Sequence, residues 1–137
     1  MRSETGTILF ADDEVTVRSY VARILRREGF ELLEAEDGAD ALSQLQSRGT
    51  RVDLLLTDIR MPRMDGVQLA RTVTEMYPGT PVVYISGYPF SLEQQRTQDP
   101  LSACAFVAKP FDRKSLLSAI QKCLTPPEHT GGVRRAG

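Results

Sequence analysis

The chain lacks an excess of charge of either sign: 17 Lys and Arg stand against 18 Asp and Glu, for a formal net charge of -1. Without a basic surplus there is no electrostatic footprint for a polyanion, and direct nucleic-acid binding is not expected. Long apolar runs are missing as well. No stretch approaches the roughly 20 residues that cross a bilayer, and the opening MRSETGT has no apolar segment of a secretory signal, so no membrane partner and a cytoplasmic location are expected. Cysteine is scarce. Cys104 lies in an apolar run and Cys123 on a helical pattern, which suits reduced, buried thiols better than a disulfide. Length is short too: 137 residues hold one ordinary domain with a sizeable core and no second one, which puts any output domain elsewhere. The 41% hydrophobic content is that of a soluble globular protein.

What is present is a strict alternation of strand and helix patterns. TILFA is a short apolar run, and EVTVRSYVARILRREG follows with Val17, Val21, Ile24 and Leu25 at helical spacing and Gly29 as its stop. FELLEA reads as a second strand, then GADALSQLQSRG as a helix with Ala41, Leu42 and Leu45 on one face. VDLLLTD is the third strand, and GVQLARTVTEMYPG the third helix, with Val67, Ala70 and Val73 inward. PVVYIS is strand four and CAFVA strand five. DRKSLLSAIQKCL closes the domain as a helix with Asp112 as N-cap and Leu116, Leu117, Ile120 and Leu124 inward. Residues 1–6 and the tail 125–137 read as flexible, leaving a domain over 7–124.

Strands one, three and four are nearly continuous apolar runs. That pattern implies burial on both faces, hence a parallel sheet with helices on each side: a doubly wound α/β fold. In such sheets ligands gather beyond the carboxyl ends of the strands. Each of the apolar runs ends there in a group that handles phosphate: Asp12 and Asp13 after ILFA, Asp58 after LLLT, Ser86 after VVYI, Lys109 after FVA. Three carboxylates, a hydroxyl and an ammonium in this placement make a magnesium-dependent phosphoryl-transfer site with Asp58 as nucleophile.

Each residue also has a plain structural explanation. A lone Asp at a strand end is usually a helix N-cap, a lysine is usually solvated, and Ser86-Gly87 could be an ordinary turn. Two adjacent carboxylates followed by Glu14 differ from these, because placing Asp58 beside them demands raised pKa values or a cation. A hard divalent ion with oxygen ligands resolves the repulsion. Lys109, between an apolar strand and Pro110, is suited to act as a point charge toward an anion.

The segments ADDE, LLLTDIRMPRMDG, VVYISG and FVAKPF, each after the right strand, resemble the receiver domain of two-component response regulators over about residues 7–124. The resemblance implies a flavodoxin-like fold of five parallel strands in the order 2-1-3-4-5 with five helices. It also implies Asp13 as a direct ligand of Mg²⁺ (or Mn²⁺), Asp12 as its acidic partner, and Asp58 as phosphoacceptor and ligand. The backbone carbonyl of Arg60 would be a further ligand. The phosphoryl group would come from a sensor histidine kinase or a phosphotransfer protein. Lys109 and Ser86 would bind the phosphate, and Ser86 with Phe106 would form the switch. The readout surface would be formed by the fourth helix, strand five and the last helix, facing an output partner or a second copy. Pro62 and Gly66 are read as scaffold of the turn into helix three.

Departures from the family pattern are few. Phe106 stands where many relatives carry tyrosine, so the switch has no phenolic hydroxyl. Arg60 and Tyr88, two residues after Asp58 and Ser86, are placed to tune water access to the phosphate. The segment SLEQQRTQDPLSA, the expected fourth helix, offers only Leu92 and Leu101 for burial. Other functions fit less well. A haloacid-dehalogenase-type phosphatase needs its nucleophile after strand one in an Asp-x-Asp arrangement, whereas here the pair is adjacent. An interaction module indifferent to phosphorylation would leave the intact acidic set unexplained. Flavin binding rests on fold analogy alone. The resemblance leaves open a single-domain regulator or a receiver belonging to a larger protein such as a hybrid sensor kinase.

Overall fold

The computed structural model describes residues 6–87 and 103–124. Five parallel strands, β1 (Thr7–Ala11), β2 (Glu31–Ala35), β3 (Leu54–Asp58), β4 (Val82–Ser86) and β5 (Ala105–Ala108), form one sheet in the order β2-β1-β3-β4-β5, as expected. Helices α1 (Val15–Arg27), α2 (Gly38–Arg48) and α3 (Gly66–Met76) and a C-terminal helix (Arg113–Leu124) pack on it. The expected fourth helix, Tyr88, the tail 125–137 and all but the last residue of the N-terminal segment 1–6 read as flexible lie outside the described residues.

Strand side chains alternate between faces, and the sheet therefore buries two separate apolar clusters. On one face Ile8, Phe10, Leu54, Leu56, Val83, Ile85 and Val107 meet α1 and the C-terminal helix through Val21, Ile24, Leu25, Leu116, Leu117 and Ile120. On the other, Leu9, Leu55, Val82 and Tyr84 meet α2 and α3 through Ala41, Leu45, Leu69, Ala70 and Val73. Strands β1, β3 and β4 are buried at every position, whereas β2 and β5 at the edges are half-exposed. Continuous apolar runs thus become central strands, as parallel-sheet physics requires.

Helix ends follow the expected chemistry. Gly29, just past α1, has φ 95°, and Gly49 caps α2 at φ 75°, in the left-handed region where a Cβ is costly. Asp112 accepts a 2.8 Å hydrogen bond from the Ser115 N–H and so caps the C-terminal helix. The inner stripe of α3 is broader than the expected one: Ala70 and Val73 are buried as expected, Gly66 and Leu69 join them, and Val67 is partly buried against the same cluster.

One expectation is overturned. Cys104 and Cys123 form a disulfide, with Cα atoms 5.8 Å apart. Cys104 is exposed just before β5, and Cys123 is partly buried at the end of the C-terminal helix. Sequence spacing of 19 residues gave no hint of the pairing. The helix runs back along its strand, and that antiparallel return brings the two ends together.

Candidate functional site

The carboxyl ends of the strands gather the residues singled out in the sequence. Asp12 follows β1, anchored by its N–H to the Ala35 carbonyl at 3.1 Å, and Asp58 is the last residue of β3. Ser86, buried, ends β4 in register with Ala108 of β5, and the next residue, Lys109, donates its N–H to the Ser86 carbonyl at 2.8 Å. Two adjacent central strands and their neighbour thereby fix acid, hydroxyl and ammonium on backbone that has little freedom to move.

Lys109 is the hub. Its Nζ lies 2.9 Å from Asp58 Oδ2, 2.6 Å from Glu14 Oε1 and 3.3 Å from Asp12 Oδ2. Among the described residues, one oxygen each of Asp12, Glu14 and Asp58 lie within 4.8 Å of one another. Burial, more than mutual repulsion, sets the electrostatics. Desolvation pushes the Asp12 carboxyl up to about 6, with the hydrogen bond from the Glu14 N–H pulling the other way and the Asp58 charge adding to the rise. Desolvation likewise raises Asp58 against the opposing pull of Lys109. For Lys109 burial alone would lower the pKa, but the hydrogen bonds to Glu14 and Asp58 win and raise it, so the ammonium stays charged.

The remaining residues take distinct places. Asp13 is exposed and lines, with Glu14, Asp58, Arg60, Gly87 and Lys109, a cleft of about 260 Å³. The Asp13 charge adds to the upward pressure on Asp58, and the Arg60 N–H donates to Asp58. Phe106 sits partly buried in β5, opposite Tyr84 and against the cluster on the α2–α3 face. The oxygen-rich donor set suits a hard divalent cation. So does one detail of the pairing: Asp12 Oδ1 takes the Glu14 N–H at 2.9 Å, while the buried Oδ2 makes no hydrogen bond and faces only the Lys109 ammonium, shared with two other carboxylates, at 3.3 Å. A buried carboxylate oxygen without a hydrogen bond costs free energy that a proton or a further cation would lower.

Several contacts were not foreseen from sequence. Glu14, noted only as extra negative charge in its loop, is the shortest partner of Lys109. Arg18 reaches back one turn to donate to the Asp12 carbonyl at 2.7 Å, holding the acidic loop; an Arg four residues after Glu14 in the same helix is the signal that could have shown it. Gly66, expected to be scaffold, has a sharper role. A Cβ there would lie 2.0 Å from the Asp58 carbonyl oxygen, and its N–H donates to the Ile59 carbonyl at 2.7 Å, so the start of α3 rests directly on the backbone of Asp58. The turn between them is tied to α2 as well, where buried Asp37 caps the helix through the Asp40 N–H at 2.8 Å and pairs with Arg63, which holds φ 68°.

Comparison with known proteins agrees with this geometry. The family model for the response regulator receiver domain matches residues 8–121. The response regulator receiver protein CpdR of Brucella abortus is 34% identical over 117 residues, 85% of this chain and 95% of CpdR. The sensor kinase CckA of the same organism is 32% identical over 123 residues, 89% of this chain but 13% of that protein. A response regulator receiver protein from Sinorhizobium medicae superposes with a TM-score of 0.76 at 36% identity, covering 88% of this chain and 95% of that one. The chain belongs to the family of response regulator receiver domains.

Proposed function

We propose that the domain over residues 7–124 is a phosphorylation-controlled switch of a two-component pathway, with Asp58 as phosphoacceptor. The observation that carries this reading is the 2.9 Å contact of Lys109 with a buried, desolvated Asp58, beside the buried carboxylate of Asp12. An Oδ of Asp58 attacks the phosphorus of a phosphohistidine on a sensor histidine kinase or phosphotransfer protein. The P–N bond breaks, and its electron pair returns to the imidazole. Asp12, Asp13, Asp58 and the Arg60 backbone carbonyl would hold Mg²⁺ or Mn²⁺, which supplies charge screening for the incoming phosphate.

This chain's own groups do the rest. Lys109 neutralises the phosphate from the side of β5, and the Ser86 hydroxyl donates to a phosphate oxygen. Phe106 follows by moving into the space that Ser86 leaves, altering the face formed by β5 and the C-terminal helix, where an output partner or a second copy binds. Arg60 and Tyr88, by their positions in the sequence two residues after Asp58 and Ser86, would set how long the phosphate survives. The protein works in the cytoplasm as a phosphoacceptor that assists its own phosphoryl transfer and hydrolysis. Incubation with acetyl phosphate, with and without Mg²⁺, followed by intact mass tests it: one phosphoryl group is gained only with metal, and Asp58→Asn gains none. Labelling of Asp58→Asn at the wild-type rate would remove Asp58 from this role.

A further inference from the structure

Glu14 occupies the N-cap position of α1, where a side chain ordinarily turns back to accept from the first turn, yet its carboxylate makes no such bond. It points across the site to Lys109 instead, at 2.6 Å, closer than Asp58 at 2.9 Å. The Glu14 backbone is pinned for this task, because its N–H donates to Asp12 Oδ1 and its carbonyl accepts from the Arg18 N–H at 2.9 Å. The Glu14 side chain is 57% exposed, whereas that of Lys109 is 17% exposed. One partner of this pair is therefore easily displaced and the other is not.

We infer that Glu14 is a positioning residue that competes with the phosphate for Lys109: it shares the ammonium in the unphosphorylated domain and must yield it when Asp58 is modified. The inference rests on the phosphoacceptor reading above and adds a threshold to it. A carboxylate bonded to the lysine sets how much of the lysine's attraction the phosphate can claim, and so weights the balance between the two states. The contact is an ion pair with one exposed member, so its effect is modest, about two- to fivefold.

Titration of the full chain with beryllofluoride in saturating MgCl₂, followed by calorimetry, tests it. Binding by the wild type tests the phosphoacceptor reading itself. Glu14→Gln should bind about two- to fivefold more tightly, since Lys109 is then free for the anion. Glu14→Asp keeps the charge but is one methylene too short to reach Lys109, and it should gain as much as Glu14→Gln. In a Lys109→Ala background, Glu14→Gln should change nothing. Wild-type affinity in Glu14→Asp, or an undiminished gain from Glu14→Gln without the lysine, would overturn the inference in favour of a simple long-range charge.

Discussion

Replacing Asp12 by Asn should stabilise the metal-free protein, and the size of the effect follows from the site. Asp12 is wholly buried, and its carboxyl is pushed from 3.8 up to about 6 in the folded state, first by desolvation and then by Asp58. Because the folded pKa is the higher one, the native state holds a proton that the unfolded chain has released between those values. Stability is therefore intact below about pH 4 and falls by roughly 1.4 kcal/mol per pH unit as pH rises toward 6. The accumulated loss is about 3 kcal/mol at neutral pH. Asp12→Asn carries no such charge and should escape it. In urea titrations followed by far-UV circular dichroism in EDTA, the variant should be more stable by about 3 kcal/mol at pH 7.5 and by little at pH 4. Mg²⁺ should then close the gap, because metal at a hundredfold excess over its Kd adds about 2.7 kcal/mol to the wild type alone. A variant no more stable than wild type in EDTA at pH 7.5, or an advantage that persists undiminished at pH 4, would refute the desolvation argument.

Gly66→Ala should destabilise the domain by about 3 kcal/mol, since its Cβ would overlap the Asp58 carbonyl at 2.0 Å, and should slow labelling by acetyl phosphate; an unchanged urea midpoint would show that α3 can retreat at no cost. Reducing the Cys104–Cys123 bond, which closes a loop of 19 residues in separation, should cost about 3 kcal/mol, read as a lower urea midpoint with a phosphine reductant and no such shift in Cys104→Ser.

Much of this architecture is legible in the chain because the same residues carry both pattern and chemistry. LLLT predicts a strand buried on both faces, and the Asp58 that ends it must then lie at the sheet's carboxyl edge; no contact information is needed for that step. The acidic pair and Lys109 follow by the same logic. What pattern cannot supply is the direction of long side chains. Glu14 belongs by sequence to a helix N-terminus, and only the meeting of the loop after β1 with the residue after β5 at the carboxyl edge of the sheet brings it to Lys109. The disulfide was missed because two cysteines in apolar or helical runs carry no pairing information, and the length of the helix between them decides it.

The unequal burial of the five strands divides the molecule into stiff and yielding parts. Asp58 stands on a strand locked between two apolar clusters, whereas Phe106 belongs to an edge strand whose residues are mostly half-exposed. Rearranging the centre would break packing on both sides of the sheet at once; rearranging the edge disturbs little. A switch of the kind proposed above needs this asymmetry. The acceptor must stay in place to within a fraction of an ångström while the event is recorded, and the record must be written where writing is cheap. In this fold those two demands are met by one sheet, with stiffness graded from its middle outward, so damage to the middle should abolish reception and damage to the edge should abolish only the message.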